Sequence, residues 1–187
     1  MSRHDSPFAA APDERVIQFQ IKMSTLRKIV ICGLSALLVM AIVLVIYEFT
    51  KPIVLRGDAH LTTPQSYRPP VEITVVAKTD STNLRLAYAA DQIIFNWELN
   101  QSQLRVDGGP ANGLHKDGAG RIPKGKYVTV RWVVTTTHQS IYVNGRLRYN
   151  HEGDYSQINR PVSVFPANGS TVSVKSITVK PIPDSTP

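Results

Sequence analysis

Apolar and polar residues alternate along most of the chain beyond residue 70. The period of two is clear in residues 71–77, 84–88 and 127–135. Such alternation places one set of side chains on each face of a β-strand, and no stretch of similar length there has the 3.6-residue spacing of an amphipathic helix. The pattern therefore predicts an all-β domain whose strands bury one face and expose the other.

Turn signals separate the predicted strands. The segment from Ser140 to Tyr149 carries Asn144-Gly145 at its centre, which is the strongest short-range signal of a β-hairpin. Further turns are predicted at residues 107–110 and 168–170. Short strands at roughly 8–12-residue spacing are typical of antiparallel sandwiches and barrels, so we expect roughly eight to ten strands in two sheets.

Four of these segments carry a family resemblance. They are residues 127–132 (YVTVRW), 141–145 (IYVNG), 162–165 (VSVF) and 172–179 (VSVKSITV). In this order they resemble the C-terminal half of the concanavalin A-like lectin/glucanase domains, which include laminin-G-type modules. The resemblance implies an antiparallel two-sheet jelly-roll sandwich over residues 71–181, and it implies this fold more firmly than any one function.

A different pattern precedes the β domain. Ile29 to Tyr47 are nineteen uncharged, mostly apolar positions, which span roughly 28 Å as a helix and match a hydrocarbon core of about 30 Å. They predict one transmembrane α-helix over residues 29–49. The stretch exceeds the ~7–15 apolar residues of a cleaved signal peptide, and no small-x-small site follows closely, so we expect an uncleaved signal anchor. Met23 begins the segment MSTLRKIV, which is similar to a short basic n-region, so residues 1–22 are either a dispensable tail or the result of a start codon assigned too early.

Basic residues on the two sides of this segment predict its orientation. Within about fifteen residues, four precede it and two follow it: Arg15, Lys22, Arg27 and Lys28 before it, and Lys51 and Arg56 after it. The excess of basic residues before the segment predicts that residues 1–28 form a cytoplasmic tail and that the C-terminal domain is extracytoplasmic. The chain would then be a single-pass protein of the cell membrane. Residues 50–70 contain four prolines and are predicted to form an extended stalk, and residues 182–187 a frayed end.

Cysteine usage and charge narrow the class of protein. Cys32 is the only cysteine and lies inside the apolar segment, so no disulfide can form within the outer domain. This favours a bacterial envelope protein over a secreted animal module. The net charge is +7, but an extracytoplasmic domain is not expected to meet nucleic acid.

Catalytic motifs are missing from the predicted strands. Glycosidases need two carboxyls about 5–9.5 Å apart, and no acidic pair occurs at i, i+2 on a predicted strand. Glu152 and Asp154 have this spacing but lie in a predicted loop. A hydrolase elbow of the form G-x-S-x-G is absent as well. We therefore expect a protein that is not an enzyme, with a glycoside hydrolase kept as a third hypothesis.

Two groups of residues have the chemistry of metal ligands. They are His115 with Asp117, and His151 with Glu152 and Asp154. Calcium takes about six to eight oxygen ligands, and the sequence shows no such concentration of oxygens. No metal or cofactor is therefore expected, although the family resemblance leaves calcium open.

Polar and aromatic residues on the predicted solvent side of the strands are candidates for ligand binding. Asn96, Glu98 and Arg131 fall opposite the apolar sets of their strands. Carbohydrate binding needs such planar polar groups together with an aromatic face. The predicted ligand-binding set is Asn96, Glu98, Arg131, Tyr142, His115 and Tyr149. Trp97 and Trp132 alternate with the core set and are interpreted as packing residues.

Four basic residues form a cluster in one glycine-bearing loop: Lys116, Arg121, Lys124 and Lys126. Such a patch could bind an anionic wall polymer, lipid headgroups or an acidic protein. The anchor, the lectin-like pattern and this patch favour a membrane-anchored extracytoplasmic binding module for a glycan or cell-envelope polymer, with the lipid bilayer as a fixed partner. The alternative is a protein–protein interaction domain of an envelope or signalling complex, without sugar binding.

Overall fold

The computed structural model of the protein describes residues 27, 28, 30, 31, 34, 35, 37–44, 47, 51–167 and 169–183. The chain divides into two compact units, Met1–Thr50 and Lys51–Pro187. The described residues of the first unit are α-helical, and among them no helix has the length and hydrophobicity needed to cross a membrane. Five sets of residues with predictions lie outside the described part: 1–26 of the tail, 29, 32, 33, 36, 45, 46, 48 and 49 of the span, 50 of the stalk, 168 of a predicted turn, and 184–187 of the frayed end.

Over its described residues the second unit forms eleven β-strands. They are β1 (Ile53–Arg56), β2 (Leu61–Thr62), β3 (Val71–Thr79), β4 (Leu84–Ala87), β5 (Gln92–Phe95), β6 (Arg105–Asp107), β7 (Val128–Val134), β8 (His138–Val143), β9 (Arg146–Glu152), β10 (Ser163–Phe165) and β11 (Thr171–Pro181). A six-stranded sheet has the order β1-β11-β3-β7-β8-β9, and a five-stranded sheet has the order β2-β10-β4-β5-β6. The predicted all-β, antiparallel two-sheet sandwich is confirmed.

The core lies between the two sheets. In the six-stranded sheet the register aligns Ile73, Trp132 and Ile141 in one inward-facing row, and all three are buried. Tyr88 meets Trp132 edge to face, with ring centroids 6.1 Å apart. The fully buried core residues of the described chain all lie between residues 55 and 174. The core residues in the described part of the chain therefore all belong to the second unit.

The segment predicted to be a stalk belongs to the sandwich. β1 pairs with β11, where Leu55 lies opposite Val172 and both are buried. β2 pairs with β10, and Tyr67 forms a bridge with Arg160. The prolines here flank β1 and β2 instead of interrupting them, so the ladder hydrogen bonds are kept. The prediction of an extended stalk over residues 50–70 is therefore wrong from residue 53 onward.

The predicted hairpin with Asn144-Gly145 at its tip is confirmed. These two residues join β8 to β9 and have φ angles of 49° and 78°. Positive φ at both central positions matches the right-handed twist of the paired strands. Asn144 also ties the tip to β7, because its Oδ1 accepts a hydrogen bond of 2.9 Å from the Thr129 N–H.

Candidate functional site

The outer face of the five-stranded sheet is polar. The register aligns Arg85 of β4, Ile94 of β5 and Arg105 of β6 in one outward row, and it places Gln92 opposite Asp107 in the next. Ile94 is buried despite facing outward, because the aliphatic stems of the two arginines flank it. We name Arg85, Gln92, Arg105 and Asp107 the polar face.

A series of hydrogen bonds fixes the polar face. Arg85 Nη1 donates to Gln92 Oε1 at 3.1 Å, and Gln92 Nε2 donates to Asp107 Oδ2 at 2.9 Å. Arg105 Nε donates to the same carboxylate oxygen at 2.8 Å. Each side chain thereby loses conformational freedom before any ligand arrives, and the remaining guanidinium N–H groups point in defined directions.

Aromatic rings border the polar face on both sides. The Arg105 guanidinium carbon lies 4.4 Å from the centroid of the Trp97 ring, within the range of a cation–π contact. On the other side His60 stacks on Phe165 with ring centroids 4.3 Å apart, and Phe165 lies opposite Arg85 in the register. The surface therefore combines planar polar groups with flat apolar ones.

A cavity opens at the Arg85 end of the polar face. Its volume is about 430 Å³, within the range of about 300–1,000 Å³ typical of small-ligand sites. Its walls come from four parts of the chain: Gly57, Asp58 and His60 after β1; Thr82, Asn83 and Arg85 at the start of β4; Glu98 after β5; and Phe165, Pro166 and Ala167 at the end of β10. Arg85 belongs to both the polar face and the cavity, so the two are continuous.

Both signs of charge occur in the cavity wall. Arg85 Nη2 donates to Asn83 Oδ1 at 3.2 Å and lies 3.8 Å from Glu98 Oε1. Asp58 and His60 add a carboxylate and an imidazole to the lining. Because the charges offset each other locally, the wall suits a ligand that both donates and accepts hydrogen bonds better than a simple ion.

Of the predicted ligand-binding residues, Glu98 lines the cavity and Asn96 does not. Asn96 is fully buried, where its Nδ2 donates to Ile122 O at 3.0 Å and its Oδ1 accepts from the Ile122 N–H at 2.9 Å. The prediction that Asn96 faces solvent is wrong, because its φ of 50° ends the alternation of β5. Its side chain instead holds the β6–β7 loop against the sheet.

Arg131 and Tyr142 meet on the outer face of the six-stranded sheet. The Arg131 guanidinium carbon lies 3.9 Å from the Tyr142 ring centroid, and its Nη1 pairs with Glu72 Oε2 at 3.1 Å. These two predicted ligand-binding residues are therefore neighbours, but on the sheet that does not carry the polar face.

The last two predicted ligand-binding residues have other surroundings. Tyr149 faces the core and is 4% exposed, so its ring cannot stack on a ligand at the surface. His115 lies at the edge of β6, where its Nδ1 accepts a hydrogen bond of 3.1 Å from the Val106 N–H. The structure thus brings only the pair Arg131 and Tyr142 together, and gathers no single site from the predicted set.

The four residues of the predicted basic patch are exposed but spread along the β6–β7 loop. Lys116 bridges to Leu104 beside β6. Lys124 and Lys126 flank Gly125, whose N–H donates to Thr79 O at the end of β3 at 2.8 Å. The patch therefore extends from the edge of one sheet to the other.

The predicted metal-ligand groups do not form a cluster. In the described residues no group of three or more His, Cys, Asp or Glu side chains is arranged to hold a metal ion. His151 Nδ1 lies 2.7 Å from Tyr155 Oη, and Asp154 Oδ1 accepts from the Ser156 hydroxyl and N–H. The two bonds from Ser156 hold the pKa of Asp154 below its ordinary value.

Sequence patterns do not identify the polar face or Trp97. Alternation places Arg85 outward, but β6 has three residues and is too short to show a period. Arg105 and Asp107 at i, i+2 around an apolar residue are the one signal that could have located it. The interpretation of Trp97 as a packing residue is wrong, since it is partly exposed beneath Arg105, whereas Trp132 is a core residue as expected.

Comparisons with known proteins concern the fold. No family model and no curated protein matches the chain. A β-1,3-1,4-glucanase (lichenase) from a mouse hindgut metagenome is 11% identical, with 70% of this chain and 79% of that one covered and a TM-score of 0.54. A galectin of Caenorhabditis elegans is 12% identical (71% and 97% covered, TM-score 0.50), and a β-glucanase of Bacillus licheniformis is 12% identical (67% and 76%, TM-score 0.50). The sandwich fits the concanavalin A-like jelly roll.

Proposed function

We propose that the chain is a membrane-anchored binding module whose polar face and adjoining cavity hold a carbohydrate outside the cell. The observation that carries the proposal is the hydrogen-bonded series from Arg85 through Gln92 to Asp107 and Arg105, which reaches the cavity at Arg85. Sugar hydroxyls both donate and accept hydrogen bonds. A surface of prealigned donors and acceptors is complementary to them and loses little entropy on binding.

The bordering aromatic groups support the same ligand class. Trp97, whose ring lies under the Arg105 guanidinium, and the stacked His60–Phe165 pair place aromatic surface at the two sides of the polar face. Such faces pack against the C–H groups of a sugar ring through dispersion and the hydrophobic effect. The similar structures include a galectin and glucanases, whose names point to carbohydrate chemistry on this fold, without identifying a ligand for this chain.

Glycan-array and peptidoglycan pull-down assays on residues 51–187 test the binding site. Gln92→Ala removes the group that holds both Arg85 and Asp107, so we expect about tenfold weaker binding of any glycan that scores, the equivalent of one hydrogen bond to a charged group. Thr129→Ala, on the outer face of the other sheet, is the control. If no glycan and no wall polymer binds, the proposal is contradicted and a protein-interaction domain is favoured. Crosslinking in membranes is the assay for that alternative.

One observation favours a second candidate function, glycoside hydrolysis. Asp58 and Glu98 both line the cavity, and glycosidases act through two carboxyl groups. If the protein is an enzyme, Glu98→Gln and Asp58→Asn should each abolish the release of reducing ends while glycan binding persists. A wild-type protein that binds a glycan and releases no reducing ends would leave the binding module as the function.

The proposed anchor is supported by the described residues of the first unit. Residues 37–44 occupy two consecutive helical turns, and their large apolar side chains are 50–63% exposed. These side chains are Leu37, Leu38, Val39, Met40, Ile42, Val43 and Leu44. They surround the helix on every side, which is unfavourable in water and favourable in hydrocarbon.

Alkaline carbonate extraction of membranes tests the anchor. We expect the full chain to remain in the membrane fraction and a chain lacking residues 29–49 to be released. Protease added outside intact cells should digest the sandwich and spare the N-terminal tail, if the tail is cytoplasmic. Extraction of the full chain by carbonate would contradict the anchor.

A further inference from the structure

A second surface of the sandwich concentrates positive charge. On the outer face of the six-stranded sheet, Lys78 of β3 and Lys175 of β11 approach the ring of Tyr127, with Nζ atoms 5.1 Å and 4.2 Å from its centroid. The two ammonium groups therefore lie within about 9 Å of each other, close enough to repel. In the described part of the chain neither lysine has a carboxylate within ion-pair distance.

The carboxylates nearest in the register are already engaged. Asp80, two residues beyond Lys78, accepts a hydrogen bond of 2.8 Å from the Thr171 N–H. Glu72, at the other end of β3, pairs with Arg131. An anion placed between the two lysines would reduce their mutual repulsion, and among the described residues no carboxylate forms an ion pair with either lysine.

An exposed aliphatic side chain borders the two lysines. Val54 of β1 lies one strand away from Lys78, across β11. Val54 is 52% exposed on this edge strand, whereas its neighbour Ile53 lies opposite the buried Val174 and points to the other face of the sheet. Lys124 and Lys126 add charge at the end of β3. Lysines beside exposed aliphatic groups are typical of surfaces that contact an anionic bilayer.

We propose that this surface docks on anionic lipid headgroups. The docking surface consists of Lys78, Lys175, Tyr127 and Val54. Val54 on the rim favours a bilayer over a soluble anion, because its side chain gains from burial at the headgroup boundary. The lysines supply the electrostatic attraction.

The inference rests on the proposed anchor, and not on the glycan site. In the sequence Lys51 follows Tyr47 by four residues, and four extended residues span at most about 14 Å, so the proposed anchor and β1 are joined by a short segment of chain. The polar face belongs to the five-stranded sheet. Docking through the six-stranded sheet therefore leaves the cavity open to a ligand.

Co-sedimentation of residues 51–187 with lipid vesicles tests the proposal. One set of vesicles is phosphatidylcholine, and the other is phosphatidylcholine with phosphatidylglycerol in a three-to-one ratio. We expect binding to the second set only, weakened by added salt. K78Q/K175Q should lower the affinity about thirtyfold, because each lysine at an anionic surface contributes roughly fivefold.

Two further double variants serve as controls. K116Q/R121Q removes the same charge from the part of the β6–β7 loop that is bonded to Leu104 and Asn96 of the other sheet, and should lower the affinity by less than about threefold, because those charges lie further from the docking surface and are screened. K78R/K175R keeps the charge and should bind as the wild type does. Equal binding to both vesicle types, or equal losses in the two glutamine double variants, would overturn the proposal.

The full chain in nanodiscs of the same two compositions gives a second measurement. Amide hydrogen exchange in β1 and β11 should slow with phosphatidylglycerol and stay unchanged with phosphatidylcholine alone. The same exchange rates in both discs would overturn the proposal. Glycan binding by K78Q/K175Q should match the wild type, so a failure of docking and a failure of the glycan site give different results.

Discussion

Asn96 shapes the candidate site more than any other single residue described above. Its φ of 50° lies in the left-handed region, which asparagine enters more readily than most residues. The chain then turns, so that Trp97 meets Arg105 and Glu98 approaches Arg85. If the strand had continued with simple alternation, the Trp97 ring and the Glu98 carboxylate would lie on opposite sides of the sheet.

Substitution of Asn96 should destabilise the sandwich by removing both of its bonds to Ile122. Asn96→Ala leaves a buried N–H and C=O without partners and also strains the backbone, so we expect a loss of about 3 kcal/mol in the free energy of unfolding. Asn96→Gly loses the same bonds without the strain and should be the milder of the two. Urea denaturation measures both, and an unchanged midpoint in Asn96→Ala would contradict this account.

Three buried tyrosines make the stability depend on alkaline pH. Burial raises the pKa of Tyr88, Tyr149 and Tyr155 above the ordinary value of 10.0. The unfolded chain therefore loses these protons first, so their contribution is complete below about pH 10 and falls as the pH rises further.

Tyr88→Phe should reduce this alkaline loss, because one of the three groups then no longer titrates. The measurement is the urea midpoint between about pH 9 and about pH 11. Tyr142→Phe makes the same chemical change on the outer face of the six-stranded sheet, outside the core, and is the matched control for the loss of a hydroxyl. If the urea midpoints of Tyr88→Phe and of the wild type fall equally steeply with pH, burial of Tyr88 is not a cause of the alkaline loss of stability.

At the scale of the element, β1 is a short edge strand that contributes to the core. Leu55 is 4% exposed and Val54 is 52% exposed. We expect Leu55→Ala to lower the free energy of unfolding by about 2–3 kcal/mol, through lost burial and a residual cavity. Val54→Ala should change it by less than about 0.5 kcal/mol. If both substitutions change the free energy of unfolding by equally small amounts in chemical denaturation, residues 53–56 behave as part of the predicted stalk.

The length of an element decides whether the sequence reveals it. β3 and β7 have nine and seven residues and alternate throughout, and Asn144-Gly145 marks the β8–β9 hairpin. β1, β2 and β6 have four, two and three residues, too few for a period to appear. Of these short strands, β6 supplies Arg105 and Asp107, and β1 leads into the turn that carries Asp58. The fold class therefore follows from local patterns, whereas the candidate site depends on pairings between distant segments.

At the scale of the whole molecule, the two outer faces of the sandwich differ in chemistry. The polar face pairs its charges, with Arg105 bound to Asp107 and Arg85 near Glu98. The docking surface leaves Lys78 and Lys175 without carboxylates among the described residues. Paired charges suit short-range recognition of a neutral ligand, and unpaired charges suit long-range attraction to an anionic surface.

Since the described core residues all belong to the second unit, we expect removal of the first to leave folding unchanged. We expect residues 51–187 to unfold cooperatively, with the same urea midpoint as the full chain in detergent. Tryptophan fluorescence is the measurement, because Trp132 is buried in the core. A lower midpoint for the shorter chain would mean that residues 1–50 stabilise the sandwich.

The position of β1 also determines how the protein responds to mechanical load. β1 is held to β11 by four residue pairs, and the turn after it carries Gly57, Asp58 and His60 of the cavity wall. Tension applied through Lys51 acts first on this edge strand, and peeling it away removes that wall while the remaining strands stay paired. Single-molecule stretching from residue 51 should therefore show a small early rupture before the main one. A bound polymer that puts enough tension on the domain would then open the cavity wall and weaken its own binding.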